Sequence, residues 1–389
     1  MNRREWMKLA ALFTGAGSLP LLQACGQRHA MQPDAPLRIG YLPITDATPL
    51  LVAHSRKLFE AEGVVVEKPV LFRSWAQLVE AFISGQVNMV HVLSPMTVWA
   101  RYGSQSPLKV LMWNHMAGSA LTVQPGINSV AELGGKTVAI PFWYSIHNVV
   151  LQYLLRSNGL EVTENDAPGP RQVRLIVMAP SDMVAALAAK NIAGFIVAEP
   201  FNAVAENKGV GKVLRFTGDV WRDHACCVTV AHAHDVERRP EWVQRVTNAL
   251  VKAQLWTLDH RVEAATLLSN AGEGKYTPHL PAVLGKVLAP PQADWQRYVD
   301  SGAIRHPDWK QSRIDFQPYP FASYTEKLVE LLKQTHIAGE NLFLRDLDPA
   351  RVAGELVDER FVRKAIESTQ SQARFALPAS FARQETLLA

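Results

Sequence analysis

Cysteine is almost absent from this chain: three in 389 residues, and no CxxC pair among them. That excludes a disulfide-stapled scaffold. The adjacent Cys226-Cys227 cannot chelate zinc alone, so no metal site and no cofactor are expected. The pair is read as two buried thiols, with a strained vicinal disulfide as the alternative. No complete GxxxxGK[S/T] phosphate loop, HExxH or GxSxG occurs, so the chain is not read as an enzyme. No block of Lys and Arg is dense enough for a nucleic-acid face, and net charge is only +4. Beyond the first 24 residues no apolar run is long enough to cross a bilayer.

What is present begins at the N-terminus. Residues 1–24 have a basic start (Arg3, Arg4, Lys8) and then an apolar run from Leu9 to Ala24, the pattern of a signal h-region. Arg3-Arg4-Glu5-Trp6-Met7-Lys8 resembles a twin-arginine export signal. Leu22-Gln23-Ala24-Cys25 resembles a lipobox, in which the cysteine is acylated and becomes the new N-terminus. The expectation is a cleaved signal peptide over 1–24, lipidation of Cys25, a tether over 25–36, and a periplasmic protein anchored to the membrane by lipid.

From Leu37 the chain alternates short apolar runs with amphipathic stretches. Strands are predicted near 37–43, 64–72, 88–93 and 108–113, with helices over 49–62, 74–83 and 96–102. A crossing strand follows at 119–123. A second series has strands at 136–140, 174–178 and 194–198, with helices at 149–157 and 183–190. Cys226 to Val230 reads as a returning strand. Thereafter the chain is mainly helical, and its last twenty residues look loose. The fold class is therefore α/β with parallel sheets flanked by helices. The layout is lobe 1 (37–118 and 228–389, with a helical C-terminal part) interrupted by lobe 2 (119–227). Two lobes joined by two crossings make a hinge and a cleft that closes on a ligand.

Ligands of such sheets bind beyond the carboxyl ends of strands. Candidate ligand-binding residues there are Tyr41, Thr45, Asp46, Trp75, Ser94, Ser119 and Glu199, together with Trp143, Tyr144 and His147 in the turn Pro141-Phe142-Trp143-Tyr144-Ser145-Ile146-His147-Asn148. Competing structural roles are helix capping for Asp46 and lobe bridging for Glu199.

Several segments carry a family resemblance: Leu37 to Asp46, Ser74-Trp75-Ala76-Gln77-Leu78, His91 to Met96, Gly134 to Pro141, Ala198 to Ala203 and Trp221-Arg222-Asp223-His224. Together they resemble the substrate-binding proteins of ABC importers for nitrate, bicarbonate, sulfonates and the thiamine pyrimidine precursor. The resemblance implies the two-lobed periplasmic-binding-protein fold of type II. It also implies a small anionic ligand, an inner-membrane permease with its ATPase as partners, and a monomer. It places Trp75 and His147 at the ligand, puts Ser119 where the nitrate branch has a glutamine, and puts Cys226-Cys227 where that branch has a lysine. The ligand thus stays open between a small anion and a heterocycle. A pyrimidine-synthase-like enzyme and a ligand-sensing lipoprotein remain as readings of other classes.

Overall fold

The run Met89-Val90-His91-Val92-Leu93 is buried at every position, which requires cover on both faces of its sheet. In the computed structural model, which describes residues 35–309 and 313–388, it is the middle of a five-stranded sheet. That sheet is built from β1 (Ile39–Tyr41), β2 (Val70–Leu71), β3 (Met89–Leu93) and β4 (Leu108–Trp113). The later β12 (Cys227–His232) completes it, in the order β2-β1-β3-β12-β4. β1 pairs parallel with β2 and β3, while β12 runs antiparallel between β3 and β4. The expected signal peptide, Cys25 and most of the tether lie outside the described residues.

After a short β5 (Met116–Ala117), which pairs with β13 (Ile314–Asp315), the chain enters a second sheet. Its strands are β6 (Ser119–Val123), β7 (Lys136–Ile140), β8 (Glu161–Thr163), β9 (Gln172–Val177), β10 (Gly194–Ala198) and β11 (Lys212–Phe216). They lie in the order β11-β6-β10-β7-β9-β8. The chain leaves the first sheet after β4 and returns to it through β12, so two connections join the sheets. No helix among the described residues is long and apolar enough to cross a membrane.

Local chemistry sets the helix starts. Ser74 Oγ accepts the Gln77 N–H (3.3 Å) and caps helix Trp75–Ile83. Ser145 does the same for helix Ile146–Ser157 through Asn148 N–H (3.1 Å). The helix expected over 49–62 is instead two pieces, Thr48–Ser55 and Leu58–Ala61, because Lys57 between them is left-handed (φ 56°).

The C-terminal part departs most from expectation. The last residues are not loose: Leu388 N–H donates to Val220 O (2.7 Å), Arg222 N–H to Thr386 O (3.0 Å) and Trp221 Nε1–H to Glu385 (2.8 Å). Nor does this part attach only to the first sheet's elements. His336 exchanges backbone hydrogen bonds with the side chain of Gln152 in helix Ile146–Ser157 (2.8 Å each way).

Candidate functional site

β3 and β4 run in the same direction and β12 runs back between them, so their ends and its start share one edge of the sheet. The register sets Cys227 opposite Leu93 and Val228 opposite Trp113. The loop after β1 brings Asp46 to that edge, and the segment after β4 brings Asn114 and His115. Ser119 opens the second sheet, and His147 lies in the first turn of its capped helix. The result is a fully buried group of polar side chains: Asp46, His91, His115, Ser119, His147, His224, Cys226 and Cys227.

The geometry has two linked halves. In one, His115 Nε2 stands 3.0 Å from Asp46 Oδ2, and the ligating atoms of Asp46, His115, Cys226 and Cys227 all lie within 4.8 Å of one another. The cysteines are buried and not bonded to each other. In the other, His147 Nε2 is 2.9 Å from Ser119 Oγ and 3.8 Å from Cys226 Sγ, and Ser119 Oγ is 3.7 Å from the same sulfur. Beside them Trp75 meets His91 edge-on, with ring centroids 5.7 Å apart. Leu42 N–H donates to His91 Nε2 (3.1 Å), which assigns the proton of this neutral ring to Nδ1.

Fixed neighbours hold these groups in place. Asn114 Nδ2 donates to Asp46 O (3.0 Å) and its Oδ1 accepts from the Thr229 hydroxyl. Gln254 Nε2 donates to Trp113 O (2.7 Å) and Asn114 O (3.1 Å). Ser94 Oγ pairs with Tyr324 OH (2.6 Å), which donates to Ala225 O (2.7 Å).

Electrostatically the site is far from water-like. Burial lifts the Asp46 carboxyl to about 6, against the opposing pull of His115. Burial pulls His115 down, but the Asp46 carboxylate and its cysteine neighbour outweigh it and raise His115 to about 10. Burial lowers His91 to about 3 and His224 to about 4, so both are neutral. Burial opposes charge on both thiols. Cys227, His147 and His115 outweigh it at Cys226 and hold that thiol well below its ordinary value, while Cys227 is pushed up.

Several buried atoms here have no hydrogen-bond partner among the described residues: Asp46 Oδ1 and Oδ2, Trp75 Nε1, His91 Nδ1, His115 Nε2, His147 Nδ1 and His224 Nε2. Asp46 and His115 are an ion pair without a hydrogen bond between them. Buried polar atoms are nearly always satisfied, so a concentration of exceptions marks a place that takes a ligand.

Of the residues singled out from sequence, Asp46, Trp75, Ser119 and His147 fall in or beside this group, and Ser94 is tied to its edge. Asp46 makes no capping hydrogen bond. The other candidates are engaged elsewhere. Tyr41 OH donates to Tyr276 O (2.8 Å), and Thr45 Oγ1 to Glu199 O (3.1 Å). Trp143 packs edge-on against His336, and Tyr144 OH donates to Glu340 O (3.0 Å). Glu199 is buried against Arg313. Sequence reasoning missed His91, His115 and Arg313. His115 stands just past a strand end, the same signal that picked out Asp46. A cavity of about 400 Å³ is lined by Tyr298 and Trp309, and one of about 510 Å³ around Arg261 and Arg383 reaches Met116 and Asp223, the neighbours of His115 and His224.

Comparison with known proteins places this arrangement. The NMT1-like family model matches residues 30–269. The nitrate/nitrite binding protein NrtA of Synechococcus elongatus is 28% identical over 305 residues, covering 66% of this chain and 67% of that protein. The chain spans between about half and two thirds of the length of the curated nitrate/nitrite-binding relatives it matches. Among solved structures, the periplasmic nitrate-binding protein NrtA from Synechocystis superimposes with a TM-score of 0.71 at 19% identity, covering 90% of this chain and 93% of that one. The aliphatic sulphonate binding protein SsuA from Escherichia coli gives 0.58 at 18%, covering 82% and 91%. These likenesses establish the periplasmic-binding-protein fold.

Proposed function

This chain belongs to the NMT1-like family, and we propose that it is a solute-binding protein of an ABC importer that closes its cleft on a small oxyanion of the nitrate, bicarbonate or sulfonate class. The observation that carries the reading is a pair of buried N–H donors, Trp75 Nε1 and His91 Nδ1, with nothing to donate to. Their rings adjoin on one wall, and both are acceptor-hungry. An anion's oxygens satisfy them, and a hydrogen bond to a charged group is worth about 1.5–3 kcal/mol. His115, held cationic beside Asp46, supplies positive charge nearby. The second sheet contributes Ser119 and His147, so bound solute bridges the two sheets and favours closure.

In this reading the chain is exported, held at the membrane through lipid on Cys25, works as a monomer, and hands its solute to an inner-membrane permease driven by an ATPase. It carries out no catalysis. The relatives' names support the importer class, and the fold supports cleft closure.

The test is a thermal-shift screen of the full chain against nitrate, bicarbonate, taurine, alkanesulfonates and pyrimidines. A ligand at 100 times its Kd stabilises the folded state by about 2.7 kcal/mol, so the right anion raises Tm with dose. Trp75→Phe keeps the packing and deletes the N–H, so affinity should fall about tenfold, or ~1.4 kcal/mol. The reading fails if no anion shifts Tm, if a pyrimidine does so instead, or if Trp75→Phe binds the anion like the parent.

A further inference from the structure

We propose that Asp46, His115, Cys226 and Cys227 form a binding site for one thiophilic divalent cation of the Zn2+ class. The site goes beyond the anion reading and does not rest on it.

The first ground is the donor set. Two sulfurs, one imidazole nitrogen and one carboxylate oxygen are the mixture that Zn2+ accepts in tetrahedral sites. Bonds of about 2.0–2.3 Å in a tetrahedron place donors about 3.3–3.8 Å apart. Here the Asp46–His115 separation is 3.0 Å and the outer limit across all four residues is 4.8 Å, values that bracket that range. Shifts of about 1 Å complete the shell.

The second ground is what these atoms lack. Both Asp46 oxygens and His115 Nε2 are buried without hydrogen-bond partners. A buried carboxylate left so is costly unless it is paired or coordinates a metal. The remaining ring nitrogen of His115 faces a backbone carbonyl, Met116 O, at 3.4 Å. That contact suits an Nδ1–H donor, and a cation taking the place of the proton on Nε2 gives the arrangement metal-bound histidines adopt. Asn114 fixes the Asp46 backbone from behind, and Ser119 and His147 stand against the Cys226 sulfur.

The third ground is how adjacent cysteines come to share a point. In a regular strand neighbouring side chains face opposite sides. Cys226 sits in a bend just before β12, and only Cys227 is in the strand. The bend turns both sulfurs toward Asp46 and His115. The sequence expectation of no metal rested on the cysteines standing alone; the fold supplies two further ligands from the ends of β1 and β4.

The full chain, kept reduced, stripped with a chelator and free of added nitrate, bicarbonate or sulfonate, is titrated with Co2+ and then with Zn2+. One equivalent of Co2+ should give thiolate-to-metal charge-transfer absorption and the intense ligand-field bands of a tetrahedral ion. Zn2+ should displace it, and X-ray absorption of the zinc form should count two sulfurs at about 2.3 Å. Cys226→Ser and Cys227→Ser should each remove about half the charge-transfer intensity and weaken binding at least about tenfold. Cys25→Ser should change nothing. The proposal is overturned if the parent shows no charge-transfer band, if zinc in the parent carries fewer than two sulfurs, or if the double variant Cys226→Ser/Cys227→Ser keeps the band. The parent spectra decide even where a variant does not fold. Because no anion is present, failure here leaves the anion reading standing, and failure of the anion screen leaves this one.

Discussion

Among the described residues, the buried charged groups around Glu199 and around Asp46 are built in opposite ways. Around Glu199 nearly every polar atom has a hydrogen-bond partner; Arg313 Nη2 is the exception, held only by its ion pair with Glu199. Arg313 Nε donates to Glu199 Oε1 (2.8 Å), its Nη1 donates to Glu206 (2.9 Å) and Tyr298 OH (2.8 Å), and its Nη2 forms a 2.6 Å ion pair with Glu199. Ala203 N–H donates to the other Glu199 oxygen (3.2 Å). Around Asp46, by contrast, both carboxylate oxygens and the facing His115 nitrogen are without hydrogen bonds. A saturated network stabilises a fold and has nothing left to offer a ligand; an unsaturated one costs stability and is retained for what it binds. Both groups are acidic, buried and close to strand ends, so residue type and position do not distinguish them. The count of partners does.

The sharpest way to break the comparison is to remove the hub of the saturated group. Arg313→Met leaves Glu199 buried and uncompensated and should lower the free energy of unfolding by about 3–5 kcal/mol. Urea denaturation measures it. The loss should also depend on pH. Burial, ahead of the opposing Arg313, already raises the Glu199 pKa, and without Arg313 it rises further. A raised folded-state pKa means that the folded state binds the extra proton, so stability is present below the unfolded value and is lost as pH rises through the folded one. Glu206 faces the same side chains, and its charge adds to the upward push. The variant should therefore recover part of its deficit at pH 5 relative to pH 8. A deficit that grows on acidification would show that Glu199 is not the source.

Between the extremes lies Asn114, which serves the unsaturated group without belonging to it. Its amide holds Asp46 O and the Thr229 hydroxyl, both buried. Asn114→Ala strands both and should destabilise by about 2–3 kcal/mol in urea denaturation. It should also weaken Co2+ binding about tenfold, because the Asp46 loop loses its anchor. A stability loss with unchanged Co2+ affinity would detach Asn114 from the site.

The same contrast explains how much could be read from the sequence. The alternation of strands and helices from Leu37 to Ala198 is local periodicity, and the fold class with its two crossings follows from it. Strand-end polarity drew attention to Asp46, Trp75, Ser119 and His147, which the fold brings to one place. It also drew attention to Trp143 and Tyr144, whose partners, His336 and Glu340, are nearly 200 residues further on; no local pattern announces that pairing. His91 was hidden inside an apolar run, where a lone histidine reads as core. The convergence of His115 on Cys226-Cys227 depends on β12 inserting between β3 and β4, a long-range fact of topology. Loose as it looked, the tail is irregular only in sequence, since its order comes from Val220, Trp221 and Arg222.

The smallest stability effect should come from the most exposed chemical difference between the two groups. Asp46→Asn keeps shape and volume and removes a charge that burial already opposes, as the rise of its pKa to about 6 indicates. Its oxygens hold no hydrogen bonds that the substitution would break. His115 loses its counter-charge and becomes neutral, which burial favours. Unfolding free energy should therefore change by less than about 1 kcal/mol, far below the Arg313→Met loss. Metal affinity should nonetheless fall at least about tenfold, since an amide oxygen is a poor substitute for a carboxylate in a zinc shell. Denaturation and Co2+ titration on the same preparation read both quantities. If Asp46→Asn destabilises as much as Arg313→Met, Asp46 is a structural ion-pair partner like Glu199, and the distinction between the two networks collapses.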